Sequence, residues 1–509
     1  MTAPHTYVTT TIPYVNARPH VGHALELVQA DVLARFRRGD GDRVRFQAGT
    51  DDNSLKNVLA AEAAGVDVRD FVDGNAEAFL ALGPALSLTV DDVIRTSRDR
   101  RHRPGVERLW QACAAAGDLY SKRYEGLYCT GCEQFYSPAE LAGGRCPEHE
   151  TGPQRVAEEN WFFRLSRYGQ RLCEAIARGD LRIEPAARRN EVLAFIDGGL
   201  EDFSVSRPAG RAGGWGIPVP GDASQVIYVW FDALCNYVTA LGYGTDGDAY
   251  RRWWASEAAS SRRIHLLGKG VLRFHAVYWP AMLLSSGQPL PTDIFVHDYL
   301  TAGGRKISKS SGPGAPGSDP AALAAQYGAD AVRWWLLREV PRVGDADFTV
   351  ERMIARADDE LANGLGNLVN RVVAMIRRYR DARVPGPQPV PAGGEDLDAA
   401  CRQAGDRIGA ALAEFDFRQA TAAVWAIADE ANRFINRVRP WDLARAERDG
   451  DTAAGRRLDA VLSALFGACL ALGAELAPFL PGAAARIISQ CTPREGRLPD
   501  PSPVFRRLA

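Results

Sequence analysis

Residues 10–23 read Thr10-Thr-Ile-Pro-Tyr-Val-Asn-Ala-Arg-Pro-His20-Val-Gly-His23. Before this stretch, the apolar and β-branched segment from Tyr7 to Ile12 predicts a strand. After it, apolar residues recur at the spacing of a helix: Leu25, Val28, Val32 and Phe36. Two histidines therefore fall where a buried strand passes into a helix. In an open α/β sheet this turn lies at the carboxyl ends of the strands, where ligands bind.

The histidine turn has the chemistry of a phosphate site. A helix N-terminus attracts phosphate, and His20 and His23 can donate hydrogen bonds to phosphate oxygens. Gly22 lets a flat ring approach the backbone. Taken alone, the same pattern also fits a structural pair of histidines or a stray metal site.

A second stretch, Lys306-Ile-Ser-Lys309-Ser310-Ser-Gly, is a basic loop of small residues far downstream. Its lysines could meet the charge that develops on a leaving pyrophosphate when such a loop closes over a triphosphate. Taken alone, it fits a solvated basic loop equally well. The pairing of this loop with the histidine turn is what makes a nucleotide site the better interpretation.

Together, the two stretches resemble the signature motifs of class I aminoacyl-tRNA synthetases, and nearly the whole chain is similar to the methionyl-tRNA synthetase family. The resemblance implies an α/β fold, with a Rossmann-like parallel-sheet catalytic domain that carries a zinc-knuckle insertion. An all-α anticodon-binding helix bundle would follow. It also implies an ATP-dependent ligase whose partners are ATP, L-methionine and tRNA(Met), with Mg²⁺ accompanying ATP.

Length and composition are consistent with this interpretation. The 509 residues allow two to four domains. The formal net charge of −2 means that a nucleic-acid partner needs a local basic patch. The start of the chain has no basic or apolar leader, and the longest apolar run, Ala460 to Ala474, is shorter than a membrane span. Nine scattered cysteines fit a reducing cytoplasm, and no membrane partner is expected.

Strands alternating with helices predict the order of the domains. Beyond the first strand, we expect strands at Val44–Thr50, Val93–Thr96, Val226–Trp230, Ile264–Leu267 and Ile294–Val296. The predicted domains are residues 1–112, the first half of the catalytic domain; 113–222, the insertion; 223–317, the second half with the lysine loop; and 318–509, the helical domain. The Pro/Gly-rich segment 385–394 connects helices within the last of these.

The insertion carries two half-sites with zinc-knuckle spacing, Cys129-Thr-Gly-Cys132 and Cys146-Pro-Glu-His149. Each half-site would supply two ligands from one tight turn, and four ligands complete a structural tetrahedral site. Free cytosolic cysteines are the alternative. His149 is the uncertain ligand, because a glutamate flanks it on each side.

The resemblance also assigns roles to residues of the catalytic domain. The transition state of activation would be stabilised by His20, His23, Lys306 and Lys309. ATP would be bound by His20, Gly22, His23, Lys269, Lys306, Ser308 and Lys309. Methionine would be bound by Ile12, Tyr14, Asp51, Trp230, Ala233, Leu234, Tyr237, Phe274 and His275. A polarisable thioether suits the edges of such aromatic rings.

Alternatives stay open for several of these residues. Asp51 would hold the substrate ammonium, but an Asp-Asp pair before a helix also caps helices well. Tyr14 and Trp230 are expected at strand ends on the ligand side, where they could equally be core aromatics.

Three residues depart from the family pattern. Asn53 replaces a histidine after Asp51, Phe203 stands at a pocket position that is usually tryptophan, and Gly270 stands where aspartate is usual. Gly270 cannot replace a carboxylate, so these departures put the rate and the amino-acid specificity in question. Arg207 and Lys269 are retained and argue for an active enzyme.

The helical region resembles the anticodon-binding part of the family. Asn367 and Arg371 lie one turn apart on a predicted helix and could read the edges of unstacked bases. Trp441, after an arginine-rich helix, matches the aromatic on which an anticodon base stacks; without the resemblance it would be interpreted as a hydrophobic plug at a helix end. Because no appended dimerising domain follows, we expect a monomer.

The best interpretation is therefore a methionine–tRNA ligase that forms methionyl-adenylate. One rival is a paralogue that activates a methionine analogue or serves as an inhibitor-resistant second copy, which Phe203 and Asn53 favour. Another is a tRNA-binding protein with little ligase activity, for which Gly270 is the main argument.

Overall fold

The structure is a computed structural model that describes residues 4–129, 134–147, 150–211, 213–255, 261–307 and 318–508, without the side chains of Tyr124, Arg305 and Lys306. In chain order its strands are β1 His5–Thr10, β2 Arg43–Thr50, β3 Asp92–Arg95, β4 Leu119–Cys129, β5 Gln134–Tyr136, β6 Gln154–Phe163, β7 Arg182–Glu184, β8 Phe203–Ser204, β9 Ser206–Pro208, β10 Pro218–Val219, β11 Asp222–Ile227, β12 Arg262–Gly268, β13 Asp293–His297, β14 Leu300–Ala302, β15 Arg305–Lys306 and β16 Ala346–Asp347.

The helices of the described residues alternate with these strands and then follow one another. They are α1 Val21–Gly39, α2 Leu55–Ala64, α3 Val68–Leu80, α4 Leu82–Ala85, α5 His102–Ala115, α6 Gly169–Arg178, α7 Ala186–Asp197, α8 Val229–Leu234, α9 Asn236–Thr239, α10 Asp248–Trp253, α11 Trp279–Ser285, α12 Pro320–Tyr327, α13 Ala329–Arg338, α14 Val350–Arg356, α15 Asn367–Arg380, α16 Glu395–Ala413, α17 Phe417–Val438, α18 Pro440–Arg448, α19 Thr452–Leu476 and α20 Pro481–Gln490. Wider helical turns at Phe274–Tyr278 and Ala357–Gly366 lead into α11 and α15.

The main sheet has six strands in the order β3-β2-β1-β12-β13-β7, and each neighbouring pair is parallel. The predicted α/β fold class is confirmed. The strand order turns back at β1: β2 and β3 extend the sheet on one side of β1, and the later strands β7, β12 and β13 lie on the other side. Such a reversal opens a crevice at the carboxyl ends of the strands.

The prediction of a central strand at Val226–Trp230 is wrong. Strand β11 ends at Ile227 and pairs antiparallel with β9 and β10 in a separate three-stranded sheet. Helix α8 begins at Val229, so Trp230 lies in its first turn and not at a strand end. The uncharged apolar run predicted burial correctly, but burial does not specify the sheet to which a strand belongs.

The range 113–222, predicted as one insertion, contains a strand of the main sheet. Residues 182–184 form β7, which pairs parallel with β13 at the edge. Strands β4, β5, β6 and β8 form an antiparallel sheet of their own. The chain therefore leaves the main sheet after α5, builds three strands of this small sheet, adds β7 to the edge of the main sheet and then completes the small sheet with β8. The other predicted boundaries stay predictions.

Alternate residues of the central strands face two different cores, as the pleat of a strand requires. Val8, Leu266 and Phe295 pack with α1 and the helical region, whereas Tyr7, Leu267 and Ile294 pack with α5 and α11. The central sheet is thus covered on both faces, which explains its apolar strands.

After residue 318 the described chain consists of helices joined by loops and one short strand, β16, which pairs parallel with β14. One buried ion pair fixes this region to α1: Arg333 lies 2.8 Å from Asp31, and neither side chain is exposed. Arg333 also donates to the carbonyl oxygen of Phe479 at 2.7 Å. A buried charge that is paired and hydrogen-bonded in this way specifies one arrangement of the helices.

Helix α19 is long and apolar enough to cross a membrane by length and composition alone. Its apolar side packs against the neighbouring helices and belongs to the shared core, through residues that include Leu458, Leu462, Leu465, Leu472 and Leu476. We therefore interpret it as the buried central helix of the bundle.

Candidate functional site

A cavity of about 850 Å³ lies at the carboxyl ends of β1, β2, β12 and β13. This is the crevice that the reversal of strand order creates. Its lining includes every predicted catalytic-domain residue whose side chain is described, together with the predicted glycine: Ile12, Tyr14, His20, Gly22, His23, Asp51, Trp230, Ala233, Leu234, Tyr237, Lys269, Phe274 and His275. Residues from four separate segments of the sequence, 12–23, 51, 230–237 and 269–275, thus meet in one place.

The two histidines of the turn cap helix α1. The Gly22 N–H donates to His20 Nδ1 at 3.1 Å, and the His20 N–H donates to His23 Nδ1 at 3.1 Å. Because each Nδ1 accepts a hydrogen bond, each neutral ring carries its proton on Nε2. A Cβ on Gly22 would lie 2.9 Å from His20 Cε1, so the ring that approaches this glycine is that of His20. The turn presents two N–H donors at a positive helix end.

The lysine loop begins and returns beside this turn. Ile307 lines the cavity, and its N–H donates to the Leu300 carbonyl at 3.1 Å. On the far side of the loop, the Ser318 carbonyl accepts the N–H of Val21, the first residue of α1, at 3.0 Å. Ser308 and Lys309 lie outside the described residues, as does the side chain of Lys306. The described residues on either side of the loop therefore lie at the cavity, for Ile307, and at the start of α1, for Ser318.

Stacked aromatic rings form the apolar part of the cavity. Trp230 and Phe274 stack with their ring centres 3.8 Å apart and 5° between their planes. Tyr14 and His275 approach Trp230 at 6.1 and 6.4 Å. This wall of ring faces and edges suits an unbranched, polarisable side chain.

His275 is a neutral hydrogen-bonding group at this wall. Its Nδ1 lies 2.9 Å from the Val271 carbonyl oxygen, which can only accept, so Nδ1 carries the proton. Nε2 then accepts the Tyr237 hydroxyl at 2.8 Å. Burial lowers the pKa of His275 to about 4, so the ring carries no charge at neutral pH. An apolar substrate group would therefore meet no charge here.

Asp51 lies at the end of β2 with 1% of its surface exposed. Its N–H donates to the Pro13 carbonyl at 2.9 Å, and this hydrogen bond joins the end of β2 to the segment that carries Tyr14. The alternative role as a helix cap is wrong, because Ser54 caps α2 through Oγ and the Lys56 N–H.

The neighbouring carboxylate, Asp52, has a different environment. It accepts hydrogen bonds from Thr50, Ser97 and Arg95 at 2.8, 2.7 and 3.1 Å. Burial nevertheless raises its pKa. Asp52 does not line the cavity, so the two adjacent carboxylates differ in their environments and only Asp51 of the pair lines the cavity.

Asn53 and Phe203, two of the residues that depart from the family pattern, each contact a residue of another segment. The Asn53 side chain donates to Asp232 Oδ2 at 2.7 Å, and His102 Nε2 lies 2.5 Å from Asp232 Oδ1. Asn53 thus joins the Asp51 turn to helix α8. Phe203, at the position that resembles a pocket tryptophan, stacks on Tyr278 with ring centres 4.3 Å apart and is not among the residues that line the cavity.

Sequence reasoning missed a buried polar pair in the cavity, Glu26 and His297. Glu26 Oε1 accepts both the N–H and the hydroxyl of Thr11 at 2.6 Å, and Oε2 lies 3.1 Å from His297 Nε2. Glu26 stands one turn after His23 on α1, and His297 ends β13. A carboxylate on the apolar face of a helix was the signal that could have found this pair.

The residues predicted to bind RNA lie on the helical region. Trp441 is 36% exposed in the first turn of α18, which argues against a buried plug. Asn367 is exposed at the start of α15, and Arg371, one turn later, donates to Asn432 at 3.4 Å. These side chains lie on α15 and α18 with part of their surface accessible to a nucleic acid, and none of them lines the cavity.

The predicted metal site is described only in part, since Cys132 and His149 lie outside the described residues. Cys129 and Cys146, one from each half-site, are buried in one small cluster with Tyr136. Thr151 contacts both: its hydroxyl lies 3.9 Å from Cys129 Sγ, and its carbonyl accepts the Cys146 N–H at 2.9 Å. One cysteine from each half-site therefore lies in the same cluster, and two thiols fit the ligand preference of zinc. The described residues alone contain no group of three potential ligands.

The amino-acid sequence of the chain is similar to a known family and to several known proteins. A family model described as tRNA synthetases class I (M) matches residues 6–156 and 149–373. The chain is 38% identical over 485 residues to a methionine–tRNA ligase of Caldanaerobacter subterraneus, covering 95% of this chain and 73% of that one. It is 37% identical over 521 residues to the methionine–tRNA ligase of Brucella suis, covering 98% and 97%.

A solved structure is similar over the whole chain. Methionyl-tRNA synthetase of Mycobacterium tuberculosis, in complex with methionyl-adenylate, superposes with a TM-score of 0.91 at 36% identity. The match covers 99% of this chain and 100% of that one.

Proposed function

The chain belongs to the methionine–tRNA ligase family of class I tRNA synthetases, and we propose that its cavity binds ATP and methionine through the residues described above. It is an ATP-dependent aminoacyl-tRNA ligase, which forms methionyl-adenylate and transfers methionine to the 3′ end of its tRNA. This identity supersedes the two rival interpretations. One observation carries the residue assignment: the histidine turn, Asp51 and the aromatic wall meet in one cavity.

Activation forms one bond and breaks another. The methionine carboxylate attacks the α-phosphorus of ATP, which enters as its magnesium complex, and pyrophosphate leaves. His20 and His23 donate from Nε2 to phosphate oxygens, and Lys306 and Lys309 meet the charge that grows on the leaving group. Asp51 holds the substrate ammonium, and the stacked Trp230 and Phe274 bind the thioether. A ribose hydroxyl of the tRNA then attacks the acyl carbon, and AMP leaves.

Pyrophosphate exchange without tRNA tests this proposal. Methionine should support exchange from ATP, whereas leucine, isoleucine, valine and norleucine should support far less, because the aromatic wall fits a thioether. The measurement is the rate of label transfer from pyrophosphate to ATP across the panel. A clear preference for another amino acid would refute the assignment of the pocket, and no exchange at all would refute the activation chemistry.

On the RNA side, Asn367, Arg371 and Trp441 bind the anticodon of tRNA(Met). The exposure of Trp441 supports this role, since an accessible ring offers a face on which a base can stack. The unstacked bases of an RNA loop also expose edges that an amide and a guanidinium can bind.

Trp441→Ala should weaken tRNA selection about tenfold to a hundredfold, because stacking is worth roughly 1–3 kcal/mol per base. Exchange without tRNA should not change, since the cavity is in another domain. The measurement is kcat/KM for tRNA in aminoacylation, beside exchange and the melting temperature. Trp425, which packs against Gly364, supplies the control: Trp425→Ala should lower the melting temperature instead. A large loss of stability in Trp441→Ala, with both activities falling together, would show that Trp441 is a packing residue.

Zinc binding is the proposed role of the small antiparallel sheet. Cys129, Cys132, Cys146 and His149 would hold one Zn²⁺, and the ion would stabilise this subdomain without touching the reaction. The support is that Cys129 and Cys146 are buried together and share Thr151 as a neighbour.

The purified protein should therefore contain about one zinc per chain, as four-ligand sites do. Cys132→Ser should lose the zinc and lower the melting temperature, whereas Cys173→Ser, on helix α6 outside the cluster, should keep both. Elemental analysis of protein purified without chelator measures the content. Absence of zinc from the wild type would refute the site, and retention in Cys132→Ser would refute that ligand.

We also place the enzyme in the cytoplasm as a monomer. Its part in protein synthesis is consistent with a reducing compartment, as is the finding that none of the eight described cysteines forms a disulfide bond with another described cysteine.

A further inference from the structure

Gly270 and Tyr299 compete for one place in the cavity that both line. A Cβ atom built on Gly270 would lie 2.1 Å from the Tyr299 hydroxyl oxygen and 3.3 Å from Cζ of the same ring. The first distance is far inside van der Waals contact, whereas a small shift relieves the second. The hydroxyl group therefore takes up the space that a side chain at position 270 would need.

Both residues follow the ends of neighbouring strands. Gly270 comes two residues after β12 and Tyr299 two residues after β13, and Gly268 pairs with His297 between these strands. Tyr299 directly precedes Leu300, whose carbonyl accepts the N–H of Ile307 next to the lysine loop. The hydroxyl thus lies on the side of the cavity where the nucleotide is expected.

Neighbouring charges hold the phenol ring in place. The Lys269 ammonium lies 4.6 Å from the centre of the Tyr299 ring and 2.6 Å from Asp345 Oδ1. The same carboxylate oxygen accepts the Tyr299 N–H at 3.0 Å. Asp298, which is 2% exposed, lies 3.5 Å from the same ammonium. The ring is fixed between a cation and a backbone hydrogen bond, so little conformational entropy is lost when a ligand binds its hydroxyl.

We propose that the Tyr299 hydroxyl binds a ribose hydroxyl of ATP and that Gly270 leaves the space for it. This inference rests on the proposed function, because it names a contact within the same nucleotide site. A phenol hydroxyl both donates and accepts, which suits a diol whose hydroxyls do the same. Read alone, Gly270 indicates a weakened site because it has no side chain. In the folded protein the Tyr299 hydroxyl, which follows the neighbouring strand β13, supplies a polar group in that space.

The test uses tRNA-free exchange with the purified full chain, methionine and three nucleotides: ATP, 2′-deoxyATP and 3′-deoxyATP. Tyr299→Phe should raise the KM for ATP roughly threefold to tenfold, the effect of one lost neutral hydrogen bond. The KM for methionine and the melting temperature should stay unchanged. In the wild type, one deoxynucleotide should show the same rise in KM, and in Tyr299→Phe that nucleotide should bind as well as ATP.

A double-mutant cycle tests the role of Gly270. Gly270→Ala pushes the hydroxyl aside and should also raise the KM for ATP. In Gly270→Ala/Tyr299→Phe the clashing oxygen is gone, so the pair should cost no more than Tyr299→Phe alone. Additive effects would overturn the claim that the two residues share one place.

Other outcomes overturn the ribose contact itself. They are a Tyr299→Phe enzyme with the wild-type KM for ATP, or equal rises in KM for ATP and methionine. A wild type that shows no exchange with methionine would instead overturn the proposed function, and this inference with it. A wild type that exchanges normally separates the two failures.

Discussion

Asp51→Asn should raise the KM for methionine in tRNA-free exchange by at least roughly two orders of magnitude. Asp51 is 1% exposed in the cavity, and the substrate ammonium would lose its ionic partner there. Breaking a buried pair of charges by removing one partner costs about 3–5 kcal/mol. The KM for ATP should change little, because no phosphate contact is lost. Initial rates measured over a range of methionine concentrations give the result.

Two comparisons make this prediction specific to the ammonium group. A methionine analogue that lacks the amino group should bind wild type and Asp51→Asn equally weakly, as measured by inhibition of exchange. Asp52→Asn, which removes the adjacent carboxylate paired with Arg95, should lower the melting temperature more than it raises the KM. A wild-type KM in Asp51→Asn, or equal weakening of methionine and the deaminated analogue, would exclude the proposed role.

Lys309→Ala should lower the maximal exchange rate roughly 10²- to 10³-fold, as loss of one group aimed at transition-state charge does. The affinity for methionine should not change, because the loop acts on the leaving pyrophosphate. The expectation rests on the described ends of the loop, Ile307 and Ser318, which meet the cavity and the start of α1. Single-turnover formation of the adenylate measures the rate, and equilibrium binding measures the affinity.

The surface lysine Lys122, on strand β4 of the small sheet, supplies a matched control. Lys122→Ala removes the same charge from the chain and should leave both quantities unchanged. If Lys309→Ala weakened methionine binding while the maximal rate was retained, the loop would be a binding element for the amino acid and not a transition-state element.

The sequence was sufficient for features that depend on short-range pattern. The strand before His20, the helix after it and the alternation of strands and helices are encoded in residues a few positions apart, so periodicity predicts them. The lysine loop and the exposed Trp441 were predicted as functional elements from motifs that resemble a known family. Each of these predictions placed a chemical group on a local element, without saying which other elements surround it.

The same limit explains the errors. Val226 and Ile227 were correctly expected in a buried strand, but β11 belongs to a separate sheet, because strand pairing is set by distant partners. Phe203 carried no local sign that it stacks on Tyr278 instead of lining the cavity. Asn53 read as a lost histidine, although its amide joins the Asp51 turn to α8 through Asp232.

Only the tertiary structure brought Glu26 to His297 and Tyr299 to Gly270. In each pair the partners lie on or directly after different strands or helices, and their distance depends on how the sheet is ordered and twisted. A glycine read along the chain indicates a missing side chain. In the folded protein the effect of the glycine depends on which group occupies the space beside it. At Gly270 that group is the hydroxyl of Tyr299, which follows the neighbouring strand. Packing leaves few voids in a protein interior, so the identity of a residue's neighbours in space decides what its side chain, or the lack of one, can do.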